Sequence, residues 1–341
     1  MEEETTVSEV TASAVFVPPS IQDHEGALLN GSSYAHFSSV PEAISTNSES
    51  GLGTPCVLGV DEAGRGPVIG PMIYGVYYLP IELEQSLLAT TYHFDDSKVL
   101  TPAVRANLMK AACQADTDLY KLSGWAIKSL SAQDIGAGMM KNGGSYNLNA
   151  QAMDATVDLI RGVIDRGVNV SEIYVDTIGR PSIYQKKLQL IFPTIKITVE
   201  KKADSLFPCV SAASVVAKVT RDVSCETLLE AYVRSMGPSS DDQEVTWGSG
   251  YPSDARCVSW MKAAIDPVWG FGNECRFSWG TVKDMLEQKG GVAKRTDWPE
   301  DDEGDNMRLS HYFGAEGGSG PQTETDELRT WFGTGVGQKA F

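Results

Sequence analysis

Histidine is scarce in this chain. There are four in 341 residues, and only His93 lies between residues 51 and 295. Serine–histidine nucleophilic chemistry and histidine acid–base catalysis therefore have almost no material to work with. The six cysteines, at 56, 113, 209, 225, 257 and 275, include no C-x-x-C pair and no histidine at ligand spacing. Zinc is not expected, and the thiols read as reduced side chains of an intracellular protein. No apolar run approaches the 18 residues or so that cross a membrane, and the opening MEEETTVSEV lacks the basic and apolar parts of a signal peptide. Lysine and arginine are missing altogether from residues 1 to 50.

That last absence locates the charge. The net charge of −17 would argue against a phosphate-rich partner if it were evenly spread. Residues 1–50 instead carry −8 and residues 296–341 carry −7, which leaves 51–295 with 27 acids against 25 bases. The acidity belongs to the tails and does not constrain the ligand of the middle.

The first tail is rich in Ser, Thr, Glu and Pro without sustained periodicity, and disorder is expected over residues 1–50. From residue 56 strands and helices alternate. CVLGV, PMIYGVYYL, LSGWAIKSL, EIYVD and IKITVE read as strands; NLNAQAMDATVDLIRGVIDRG, with Met153, Val157, Ile160 and Ile164 on one face, reads as a helix, as do SIYQKKLQLIF and PCVSAASVVAKVTRDVSCETLLEAYV. The alternation predicts an α/β fold with a mixed sheet flanked by helices over 51–235. A loop-rich, aromatic segment with a closing helix, 236–295, reads as a small C-terminal helical subdomain, and 296–341 as a second, mostly disordered acidic tail.

Two adjacent carboxylates, Asp61 and Glu62, end the CVLGV run and are followed by Gly64-Arg65-Gly66-Pro67. A dinucleotide loop is a poor reading. The glycine spacing is off by one, Pro67 removes a donor, and a β-prone run follows where a helix N-terminus would be needed. Asp176 closes another strand in YVDTIG, and Asp204 follows a third in KKADSLFP. Any one strand-end Asp can be a turn or helix cap. Several carboxylates converging at one sheet edge repel unless a cation neutralises them, and oxygen donors without His or Cys point to Mg²⁺ or Mn²⁺. Two such ions, about 4 Å apart, are sufficient for phosphodiester hydrolysis.

The blocks VLGVDEAGRGPVIGPMIYG, DDSKVL, SYNLNA, YVDTIG, KKADSLFPCVSAASVVAKVTRD, GSGYPSD and FGNECRFSWGTV occur in order over about residues 55–287. Together they resemble the type 2 ribonuclease H family, in particular the catalytic A subunit of the eukaryotic enzyme. The resemblance implies a ribonuclease H-like fold and hydrolysis 5′ to a ribonucleotide in RNA/DNA hybrids and at single ribonucleotides in duplex DNA. It implies that Asp61, Glu62, Asp176 and Asp204 hold two metal ions. It gives the Gly64-Arg65-Gly66 turn the task of touching the ribose 2′-OH, where a bare backbone approaches closest, and gives Tyr251 a place stacked on the following deoxyribose. Lys98, Asn147 and Arg221 correspond to polar positions near the phosphates. Arg180 is an extra cation beside Asp176, with substrate contact and a purely helical role both open.

Two tail segments, LSHYFG and LRTWFG, resemble sliding-clamp-binding peptides, with Asn306 and Thr325 where Gln is expected. The resemblance also implies two accessory subunits docking through the carboxyl-terminal region, and either partner suits residues 306–313 or 325–332. Nuclear residence follows from the family and substrate, since KK at 201 and KR at 294 are too short for import signals. A metal nuclease or strand transferase indifferent to the 2′-OH, and a non-catalytic scaffold working through its tails, are the rival classes.

Overall fold

The computed structural model describes residues 16–45, 53–94, 100–141, 146–177, 179–236, 245–288 and 290–293. These lie in one compact unit, Met1–Arg295. Six strands form one sheet: β1 Tyr34–Phe37, β2 Cys56–Ala63, β3 Met72–Pro80, β4 Gly124–Leu130, β5 Val170–Asp176 and β6 Lys196–Glu200. Their order is β1-β4-β3-β2-β5-β6. The β1–β4–β3–β2 pairings are antiparallel, and β2–β5–β6 are parallel, so the sheet is mixed as expected. All of β3 and all of β2 except Glu62 are buried, consistent with central strands covered on both faces.

Among the described residues ten α-helices accompany the sheet: α1 Pro19–Gln22, α2 Glu25–Leu29, α3 Pro102–Cys113, α4 Asp118–Leu122, α5 Ala132–Met139, α6 Leu148–Ile164, α7 Pro181–Ile191, α8 Pro208–Met236, α9 Ala255–Ala264 and α10 Gly280–Glu287. One apolar layer joins α3, α4 and α8 to Val57, Ile73 and Tyr77. The other joins α5, α6 and α7 to Leu58, Val60, Val76 and Val175. The small residues that open α8 let it lie directly on the sheet. A Cβ at Gly59 would come within 2.3 Å of the Cys209 backbone, and one at Gly75 within 2.7 Å of the Ala213 carbonyl oxygen. A third cluster, around Trp247, Trp260, Met261 and Phe271, encloses Val68 and Ile69 from the segment after the glycine turn. The carboxyl-terminal part and that turn therefore share a core.

Disorder over residues 1–50 is overturned for 16–45. Strand β1 pairs Tyr34–Phe37 with Ala126–Ser129 at the sheet edge, and Ile21, Leu28 and Ile44 are buried. The polar residues of this segment act as ties: Ser33 donates from its amide and hydroxyl to Asp134, and Ser20 pairs with Thr220. Its apolar residues are too few to form a core alone, but they add to one that exists. Asp61 and Glu62 also differ from expectation, since they lie within β2 and not beyond its end. Lys98 and the segments 306–313 and 325–332 lie outside the described residues.

Candidate active site

Successive strand residues face opposite sides of a sheet. Asp61 therefore faces α8, where Ser214 hydrogen-bonds to it and Lys218 acts on its charge. Glu62 faces the other way, toward Tyr74 and Tyr184, both of which feel its charge. Parallel pairing of Val60 with Val175 sets Asp61 beside Asp176 on the adjacent strand. Asp176 Oδ1 accepts the Ala203 amide at 2.9 Å, which draws in the short turn Ala203–Ser205 carrying the buried Asp204. That turn begins at Lys202, held at φ +58°. Asp176, at the end of β5, thus acts on the charges of both Asp61 and Glu62 and holds the turn that carries Asp204, while Asp61 and Glu62 point to opposite faces of β2.

Burial pushes the Asp61 carboxyl well above the usual range. The Ser214 hydrogen bond opposes the shift and the charge of Asp176 adds to it. Glu62 is raised by burial and then by Asp61, while Arg65 opposes. Lys218 beside Asp61 and Arg65 beside Glu62 offset the burial of these two carboxyls only in part, and a hard divalent cation is the group such oxygen donors fit. Among the described residues no three carboxylate, thiol or imidazole groups form a ready cage.

The glycine turn is held by two residues to which the sequence motifs assigned no role. Arg276 is fully buried and donates to the carbonyls of Gly64 (2.6 Å), Arg65 (3.0 Å) and Gly70 (3.0 and 2.9 Å). Its guanidinium lies 4.8 Å from the Trp279 ring centre, and Trp279 Nε1 donates to Gly66 at 3.0 Å. Burial and the neighbouring Arg221 lower the Arg276 pKa to about 9, which leaves it charged at neutral pH. With the carbonyls held from one side, the amides of Gly64, Arg65 and Gly66 form no hydrogen bond among the described residues. The only sequence signal for this clamp was an arginine inside an apolar-aromatic block.

Arg221 and Tyr251 meet the same turn. Gly64 has φ +80°, and a Cβ there would lie 2.7 Å from the Pro71 carbonyl and 3.1 Å from Arg221 Nε. That Nε is buried and has no hydrogen-bond partner among the described residues, while Nη2 donates to the Ser249 carbonyl at 3.3 Å. A Cβ at Gly66 would stand 3.0 Å from Tyr251 Cε1. The Tyr251 ring, 44% exposed, therefore covers the turn and still faces outward. Its loop is pinned by Asp254, which accepts from the Ser249 amide (2.8 Å) and hydroxyl (2.9 Å) and caps α9 through Arg256 N. Val68 N donates to Gly250 O at 2.8 Å and joins the two loops. Asn147 caps α6, accepting from the amides of Asn149 and Ala150, and Asn149 Oδ1 accepts from Arg65 Nη2 at 2.5 Å.

A family model, ribonuclease HII, matches residues 58–282. The chain belongs to the ribonuclease HII family. It is 53% identical over 328 residues to the A subunit of ribonuclease H2 from Neurospora crassa, covering 96% of this chain and 97% of that one. Identity to the A subunit of ribonuclease H2 from Homo sapiens is 41% over 267 residues, 77% of this chain and 83% of the human one. The solved ribonuclease H2 of Pyrococcus horikoshii superposes with TM-score 0.53 at 28% identity, over 67% of this chain and 96% of that one. Ribonuclease HII of Archaeoglobus fulgidus, solved in complex with PCNA, shares the fold with TM-score 0.52 at 24% identity, over 70% of this chain and 98% of that one. The fold is ribonuclease H-like, and the chain is a ribonuclease H, a nuclease of a divalent-metal-dependent family.

Proposed function

We propose that this enzyme hydrolyses the phosphodiester on the 5′ side of a ribonucleotide, in RNA/DNA hybrids and at single ribonucleotides in duplex DNA, leaving 3′-hydroxyl and 5′-phosphate ends. The observation that carries the reading is the glycine turn. Three consecutive amides and the Arg221 Nε, all without acceptors among the described residues, lie beside the outward ring of Tyr251. This is a set of fixed donors suited to a sugar hydroxyl and phosphate oxygens, next to an aromatic face suited to a sugar ring. Asp61, Glu62, Asp176 and Asp204 would hold two divalent cations, Mg²⁺ or Mn²⁺, which supply Lewis acidity and an activated water. The turn orients the ribose, Tyr251 stacks on the following deoxyribose, and Arg221 and Asn147 contact phosphates. Lys98 is assigned the same phosphate role from the resemblance. The enzyme removes ribonucleotides and RNA primers from DNA in the nucleus. Two accessory subunits dock on its carboxyl-terminal region, with the aromatic segments 306–313 and 325–332 as their anchors and as a weaker sliding-clamp contact.

The deciding measurement is Mg²⁺-dependent nicking of a duplex with one ribonucleotide, with the all-DNA duplex as control, run with and without accessory subunits. Cleavage of the all-DNA duplex at a comparable rate would favour a nuclease indifferent to the 2′-OH.

A further inference from the structure

A cavity of about 590 Å³ adjoins the carboxylates on the α6–α7 side of the sheet, and Glu62 and Asp176 form part of its wall. Arg65, Arg180 and Lys187 also line it. Arg180, Ile183, Tyr184 and Lys187 follow the i, i+3, i+4, i+7 spacing that sets side chains on one stripe of a helix, and all four line the cavity. Tyr184 Oη donates to Thr156 at 3.0 Å and fixes α7 against α6. Arg180 occupies the N-cap position of α7, whose partial positive charge adds to its own.

Neither Arg180 nor Lys187 forms an ion pair among the described residues. The acids of the wall are Glu62, Asp176 and Asp154. With Glu62 and Asp176 balanced by the cations assigned to them, Asp154 alone faces three positive side chains. The cavity then favours an anion, and the anion nearest the carboxylates is the strand being cut.

We propose that Arg65, Arg180 and Lys187 make this cavity a seat for a backbone phosphate of the ribonucleotide-bearing strand, flanking the bond that is cut. The inference rests on the hydrolytic reading above and gives Arg180 a substrate role. Lys187 joins it from one turn pair further along α7, a position with no motif to mark it.

The test uses the full-length chain and a duplex with one ribonucleotide. The exposed double variant Arg180→Glu with Lys187→Glu is expected to raise KM about tenfold with kcat within about twofold. It should also make the slope of log kcat/KM against log salt shallower by about one unit, as for one lost phosphate contact. Arg180→Lys with Lys187→Arg keeps both charges and stays near wild type. Neutral methylphosphonate linkages, placed one at a time, should reveal one position in the ribonucleotide strand that weakens wild type and leaves the double variant indifferent. An unchanged KM and salt slope overturns the seat. A sensitive linkage in the complementary strand, or inhibition by inorganic phosphate that the variant abolishes without a change in duplex KM, overturns the strand assignment. No nicking by the wild-type chain with its accessory subunits defeats the hydrolytic reading itself.

Discussion

Replacing Arg276 with methionine keeps the unbranched apolar stem, shortens the side chain by the end of the guanidinium and removes its four hydrogen bonds to the carbonyls of Gly64, Arg65 and Gly70. A hydrogen bond involving a charged group contributes about 1.5–3 kcal/mol net, and a buried group left without a partner costs about 1–3 kcal/mol. Water can reach the half-exposed Gly64 and Arg65 but not the buried Gly70. The four bonds therefore do not add in full, and the expected loss of stability is about 3–5 kcal/mol. For a unit of this size that corresponds to a fall in Tm of about 6–20 °C in a thermal melt. Below the new Tm, kcat/KM on a single-ribonucleotide duplex should drop about 100-fold or more, because the turn amides are no longer aimed. Arg276→Lys restores the charge without the planar fork and should recover only part of either quantity. A methionine variant melting within about 2 °C of wild type with kcat/KM within about threefold would refute the clamp.

Asp61→Asn together with Asp176→Asn removes a buried charge and its repulsive neighbour, so activity should disappear while Tm without divalent cations rises by a few degrees; full activity would sink the proposed centre. The same variant should lose any Mg²⁺-induced rise in Tm that the wild type shows. Tyr251→Ala exposes little that was buried, so Tm should hold within about 2 °C while kcat/KM on single-ribonucleotide duplexes falls about tenfold or more and hybrids with long RNA runs suffer less. The hydrogen bond from Arg256, followed by the Ser249 and Arg256 amides, holds the Asp254 carboxyl below the usual range. Its contribution is therefore complete above about pH 4 and lost as pH falls through the acid range. Urea titrations below pH 4 should show wild type losing stability more steeply than Asp254→Asn, and parallel curves would remove Asp254 from that loop's support.

The elements flanking the site were legible because their signals are local. The alternation in YVDTIG and the small residues opening PCVSAAS follow from side-chain periods of two and from close helix–sheet packing. The carboxylates were visible too, since charges embedded in or beside apolar strands stand out against the pattern. What stayed hidden depended on partners far along the chain. The segment 16–45 looked disordered because Ile21, Leu28 and Ile44 are sparse, and they are buried only by joining layers built elsewhere: Ile21 and Leu28 the α8 layer, Ile44 the α5–α6 layer on the other face. Arg276 resembled any surface arginine, and its burial makes sense only beside carbonyls about two hundred residues earlier.

By itself, then, the sequence determined the alternating α/β order and made four carboxylates and a glycine turn stand out as candidates, because local periodicity and composition carry those features. Tertiary structure alone decided that Glu62 faces away from Asp61, that Arg276 and Trp279 hold the turn, and that Arg180 and Lys187 share a cavity with Glu62 and Asp176. Side-chain direction in a paired strand and the satisfaction of buried polar groups are settled by neighbours in space, which chain order does not specify.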